Sequence, residues 1–427
     1  MKALPKQLGA TDGAILIFSN VVGVGIFTTP GIVAGVINDP FLFLSTWIIG
    51  GLFAFVGALG YARLSQTYPK AGGEYIYLRH SFGPLLGFLS GWTSFVAGFS
   101  GAIAASAVGF SIYLKRISPG LEGQFIGLAA ESWVAITLIL LVAVIHVLSV
   151  KMGSRFHFWL GGLAIVAILL LVFTGLFSEH SVGATPPTSR PNASAFLLAL
   201  VPVLFTYSGW NAAVYLSEEI RNPRRNMIRA LILGTSAVVV IYVLLNVVFI
   251  KVLGLGAMAS SFEIGYDMAE VLLGDTGKLI ITAIILMALL SSVSAMIMAG
   301  PRIYFAMARD RVFPTIIQKL HPRFKTPYIA IIAQSIWTIV LVLSGTFEDI
   351  LIYTGFSIIL FSGLSIFALV IKPAFKTSLP HKVMYGLFSL ASLMILANAI
   401  SSAPKPALFG TGIILMGIPF YFVFRRS

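Results

Sequence analysis

The sequence predicts an all-α integral membrane protein that crosses the bilayer twelve times, and three observations predict it. Hydrophobic residues make up 58% of the chain and charged residues 10%, against about half and about a quarter in soluble domains. No soluble fold of this length can hide that much apolar surface. The apolar residues gather into runs of about 20 with few ionisable groups, the length at which a helix crosses hydrocarbon with its backbone groups satisfied internally. The basic residues between the runs fall mainly on alternate sides.

In order, the twelve runs cover residues 13–37, 41–62, 84–114, 131–150, 157–177, 195–217, 229–253, 278–305, 328–346, 350–371, 383–402 and 407–424. Met1–Ala10 is short, polar and basic and runs straight into a full span, so no cleavable signal peptide is expected. The longer connections are Tyr68–Gly83, Lys115–Ala130, Ser178–Ala195, Gly254–Gly277 and Asp310–Pro327. None is long enough for a soluble domain, so residues 1–427 form one transmembrane domain.

The net charge of +13 does not point to nucleic acid, because its distribution is topological. With the N-terminus inside, 22 of the 28 Lys and Arg lie on the inner side; the other six are Lys115, Arg116, Arg190, Lys251, Lys278 and Lys405. That bias obeys the positive-inside rule and places both termini in the cytoplasm of a cell (inner) membrane protein. The absence of cysteine excludes disulfides, thiol chemistry and Cys-ligated metal.

Two runs have irregular centres. The first reads Ser19-Asn20-Val21-Val22-Gly23-Val24-Gly25, followed by Pro30; the sixth reads Phe205-Thr206-Tyr207-Ser208-Gly209-Trp210-Asn211, preceded by Pro202. Glycine, proline and paired polar residues all weaken a continuous helix. The interruptions lie five spans apart, and an odd offset inverts one half relative to the other. A first repeat of about 10–180 and a second of about 193–372 therefore each open on a broken helix, leaving two further helices over about 383–424. Broken helices at matching positions of two halves point to a transporter's midplane site. Most of the 41 glycines serve close helix packing instead.

At these residues the chain resembles the amino acid–polyamine–organocation superfamily, in particular its L-type amino-acid transporter branch. The resemblance rests on Gly23-Val24-Gly25-Ile26-Phe27, on Phe205–Asn211, and on Ser217-Glu218-Glu219-Ile220-Arg221-Asn222-Pro223-Arg224. Pro69-Lys70-Ala71-Gly72-Gly73-Glu74-Tyr75 and Gly300-Pro301-Arg302 add to it. It implies a LeuT-like fold of five plus five inverted helices with two extra helices, and secondary transport of amino acids by alternating access.

The residues suggest how an amino acid is held. A break at Gly23–Gly25, with Val24 between, leaves the N–H groups opening the outer half-helix unpartnered at its positive end, where a carboxylate fits. Carbonyls near Ser19 and those freed at Phe205 and Tyr207 suit an ammonium. The resemblance implies a gating ring for Phe205 and a place for Asn211 at the start of the inner half of the sixth helix. Walls are expected from Ser94–Ala97, Ser208 and Ser294; being small and uncharged, they favour a neutral amino acid. The acidic pair Glu218–Glu219 with Arg221, Arg224, Arg225 and Arg229 reads as a solvated network at the inner mouth.

For energy coupling, sodium symport is expected. Sodium-independent relatives often carry a lysine in the fifth helix, which the resemblance aligns with Ala167 or Ile168, and that span has none. Ala288-Leu289-Leu290-Ser291-Ser292 is similar to the pattern of sodium-coupled members, and with the Ser19 and Val22 carbonyls it offers a hard cation five oxygens. A sodium-independent exchanger and a proton-coupled permease are the alternatives, the latter weakened by the lack of any evident buried carboxylate or lysine. The chain shows no selectivity filter for a channel and no acid, base or metal cluster for an enzyme, whereas a transport-dead amino-acid sensor shares every feature above. Possible sodium aside, no cofactor is expected; the partners are the substrate and the lipid bilayer, with no nucleic acid and no obligatory protein partner.

Overall fold

The computed structural model describes residues 6–118, 120–121, 123–125, 127–148, 150–182, 192–261, 263–344, 347–402 and 404–426. Lys2 and Arg190, counted above in the charge bias, lie outside them. The helices in chain order are α1 (Ala10–Val21), α2 (Gly25–Val36), α3 (Pro40–Thr67), α4 (Glu74–Phe82), α5 (Pro84–Thr93), α6 (Phe99–Ile117), α7 (Ala130–Leu148), α8 (Val150–Phe177) and α9 (Ala193–Thr206). They continue with α10 (Ala212–Tyr215), α11 (Pro223–Ala259), α12 (Ile264–Ala299), α13 (Pro301–Arg309), α14 (Tyr328–Ser344), α15 (Phe347–Ile371), α16 (Leu379–Ser402) and α17 (Pro404–Arg426). A π-helical turn over Ser94–Gly98 joins α5 to α6, and a two-residue hairpin, Gln124–Phe125 against Leu128–Ala129, precedes α7.

Among the described residues, eight helices are long and apolar enough to cross a membrane. The pair α1 and α2 meets the same test as one span bent by 44°, and Ala193–Thr206, Tyr328–Ser344 and Gly355–Ile371 are shorter apolar helices. Side chains such as Leu141, Phe173, Leu393 and Phe409 stand exposed on the outer surface, the side chains expected to face lipid. The protein is a multi-pass membrane protein.

Local chemistry explains both breaks. After α1, the Gly23 N–H donates to the Val21 carbonyl at 2.9 Å, so the Ser19 carbonyl loses its helical donor. After α9, the Ser208 N–H turns back to the Phe205 carbonyl at 2.8 Å. Gly209 then adopts φ +100°, and a Cβ there would lie 2.4 Å from Asn20 Oδ1. Only glycine allows this left-handed residue to press against the first break.

The inner half of the sixth segment is shorter than the sequence predicts. In place of a half-helix reaching 217, α10 is a single turn, after which Ile220 pairs with Leu8 in a parallel bridge and α11 begins at Pro223. α1 and α2 both pack along α11, and α2 lies against α9. The two breaks are thereby held together near the middle of the molecule.

Candidate functional site: a cavity between two broken helices

A cavity with about 80 Å³ of water-accessible space opens where the breaks meet. One water needs only about 10–15 Å³ by this measure, so the space suits a small solute. Its wall includes Gly23, Val24 and Gly25 from the first break, and Phe205, Ser208, Gly209 and Asn211 from the second. The π-helical turn contributes Ser94, and α12 contributes Ser292.

Helix direction gives the cavity two electrostatic ends. α2 begins at Gly25, so the N–H groups of its first turn sit at the positive end of the helix dipole. α1 and α9 terminate at Val21 and Thr206 and bring carbonyl-rich negative ends to the same space. One of the expected carbonyls is already engaged, since that of Phe205 accepts the Ser208 N–H. The Phe205 ring remains in the wall, nearly buried.

Several expected residues sit elsewhere. Ser294 does not line the cavity: it is fully buried, and its hydroxyl lies 2.8 Å from Nε2 of His146 on α7. On a helix it points away from Ser292, two residues and about 200° earlier. The Tyr207 hydroxyl donates to the Trp47 carbonyl at 3.0 Å, and its ring packs with Trp47 and Tyr242. Asn211 reaches the wall, but its amide nitrogen is already donating to Glu74 Oε1 at 3.0 Å and to the Tyr215 hydroxyl at 2.8 Å.

The residues proposed for a cation also divide. Ser19 Oγ and Ser291 Oγ are buried and have no hydrogen-bond partner among the described residues. Between them lies Gly161 of α8, where a Cβ would stand 2.5 Å from Ser19 Oγ and 3.5 Å from Ser291 Oγ. Gly161 is therefore a position of the fifth span that faces this site, and Ala167 and Ile168 lie about two turns further along α8. Ser292 Oγ faces the cavity side, 2.9 Å from where a Gly23 Cβ would be, and Val22 of the first break and Ala288 of α12 are buried.

Glu74 was missed. The segment Tyr68–Gly83 reads as an inner loop, but it folds inward, and Glu74, Tyr75, Ile76, Tyr77 and Leu78 are all buried. Glu74 opens α4 and lines the cavity, so the wall holds a carboxyl after all. Tyr61 of α3 and Asn211 both donate to its Oε1. Burial pushes its pKa up to about 7, with the two hydrogen bonds opposing the shift. The signal was the Gly72-Gly73 pair in front of it: Gly73 has φ +49°, and a Cβ there would meet the Tyr215 ring at 2.5 Å.

Below the cavity, the acidic pair finds distant partners rather than the nearby arginines of the sequence reading. Arg302 grips Glu219 through Nε at 2.9 Å and Nη2 at 3.2 Å, with side chains only 3% and 1% exposed. Arg309 pairs with Glu218 at 2.8 Å, and Arg79 pairs with Asp310. Glu219 is thus locked in the interior, not solvated. Burial pushes the Glu218 carboxyl up, but Arg309, with the Ala71 N–H and Lys70, outweighs it and holds the group below the usual range.

A family model described as amino acid permease matches residues 8–424. The chain is similar to the large neutral amino acids transporter small subunit 2 of Homo sapiens, 27% identical over 99% of this chain and 81% of that protein. It is equally similar, at 27%, to the Asc-type amino acid transporter 1 of Mus musculus, over 100% of this chain and 82% of the other. The b(0,+)-type amino acid transporter 1 of Mus musculus is also 27% identical, over 99% and 88%.

Proposed function

The chain belongs to the amino acid permease family, and from that premise we propose that it is a secondary transporter that carries neutral amino acids by alternating access. The observation that carries this reading is the meeting of two broken helices at one cavity, with a helix start and two helix ends turned toward it. A zwitterion has the complementary charges a few ångströms apart, so its carboxylate is held at Gly23–Gly25 and its ammonium at the carbonyl ends near Ser19 and Thr206. Phe205, Ser208 and the Oδ1 of Asn211 complete the wall around the side chain. Neutral substrates are favoured by the small, mostly uncharged walls and by the name of the human relative.

In this reading the twelve apolar segments are twelve spans, related as five plus five inverted repeats with two added helices. Both termini face the cytoplasm. One relative is named a small subunit; this chain has no cysteine, so any second subunit would be held without a disulfide.

We further propose sodium as a coupling ion, held by Ser19, Val22, Ala288, Ser291 and Ser292. The residues present fit a hard cation: two buried hydroxyls without a partner among the described residues flank the space left by Gly161. Sodium supplies positive charge beside the negative end of α1, and the protein's part is to orient these oxygens and exclude water. One proteoliposome experiment tests both proposals. Uptake of a labelled neutral amino acid is expected to saturate, to be competed by other neutral amino acids, and to fall about tenfold when choline replaces sodium, the scale of a coupling of about 1–3 kcal/mol. The paired change Ser291→Ala with Ser292→Ala should remove the sodium dependence. Saturable uptake that is indifferent to sodium would return the serines to helix packing and leave the transport reading intact.

A further inference from the structure

We infer that Glu74 is a proton-binding site of the transport cycle, loaded from one side of the membrane and emptied to the other together with the amino acid. The inference rests on reading the cavity as the transport path and does not depend on the sodium site.

Three features of the geometry carry it. The carboxyl lines the cavity, so it meets water whenever the cavity opens. It is 7% exposed and takes part in none of the ion pairs among the described residues, so no fixed cation holds it ionised. It also bonds directly to the second broken helix, through Asn211, so its charge is felt where the substrate binds.

The groups around Glu74 are neutral. Tyr61 faces it from α3, Tyr215 from α10 and Tyr77 from its own helix. Arg79, further along α4, is taken by Asp310 and Tyr75. α5 and residues 355–371 of α15, which pack against α4, carry no titratable side chain. An ionised Glu74 therefore gives the closed cavity an uncompensated negative charge, which is costly in a low-dielectric interior. Protonation removes it: the carboxylate takes one proton from water to become a neutral acid, and returns the proton to water on the other side. With burial raising its pKa to about 7, the group exchanges that proton in the neutral range. Both hydrogen bonds go to Oε1, so the proton has Oε2 as its place.

The test uses full-length protein in proteoliposomes containing a pH-sensitive dye, at fixed sodium, over about pH 5.5 to about pH 8.5. For the native protein, uptake is expected to rise as pH falls through about 7, and addition of amino acid outside to acidify the lumen. Glu74→Gln should lose the lumenal acidification and flatten the pH profile. Glu74→Asp should keep proton movement with a displaced midpoint, and decides the matter if the glutamine variant is not monodisperse in detergent. Native uptake that is flat in pH with no acidification overturns the inference while leaving amino-acid transport standing, as does an unshifted midpoint in Glu74→Asp. No uptake at any pH would instead remove the transport reading itself.

Discussion

Replacing Gly25 with valine is expected to abolish uptake. A Cβ at this position would lie 2.8 Å from Thr206 Oγ1 and 3.2 Å from Thr206 Cβ. Thr206 is not free to turn aside, because its hydroxyl sits 2.8 Å from Thr29 Oγ1 and donates to the Pro202 carbonyl at 2.9 Å. Overpacking of this kind costs about 1–3 kcal/mol and would push the two breaks apart. Loss of uptake alone would thus not separate packing from substrate recognition. The separation comes from Thr206→Ala and the double change Gly25→Ala with Thr206→Ala, in which the clash is relieved. If the Gly25 backbone receives a carboxylate, the double variant binds substrate about tenfold or more weaker than Thr206→Ala alone, roughly 1.4 kcal/mol. Equal affinities would make Gly25 a packing residue.

The second large effect is on stability. Arg302→Met is expected to lower the unfolding temperature in detergent sharply, because it strands the Glu219 carboxylate in a site where that side chain is 1% exposed. Removing one member of a buried pair costs about 3–5 kcal/mol, whereas replacing both by apolar groups is often close to neutral. Arg302→Met with Glu219→Met should therefore recover most of the loss in a thermal unfolding series. A single variant as stable as the native protein would show that this pair is not the lock between α13 and the segment before α11.

The two breaks were legible because glycine, proline and polar neighbours interrupt apolar runs, and such interruptions are local signals. Placement around them was not local. Glu218 and Glu219 read naturally with Arg221 and Arg224, but they pair with Arg309 and Arg302, 91 and 83 positions away. The place of Gly161 was not legible either, because it is marked by the space it leaves beside Ser19, and spacing along one helix does not report on its neighbours. Ser294 was placed in the wall from its segment alone, without the 100° per residue that turns it toward His146. Glu74 stayed hidden because a charged residue between two apolar runs normally means a solvated loop. It was the Gly72-Gly73 turn, packing α4 against Tyr215, that brought it inside.

The central claim, that the amino acid binds in the space between the breaks, is open to one direct measurement. The native chain has no cysteine, so Ser208→Cys places a single thiol in the cavity wall. A small water-soluble thiol reagent should label it, and amino acid at about ten times its dissociation constant should slow labelling about tenfold, in proportion to the unoccupied fraction. Ser294→Cys, buried beside His146, should stay unlabelled under the same conditions. Labelling of Ser208→Cys at one rate with and without substrate, in protein that takes the substrate up, would contradict the claim.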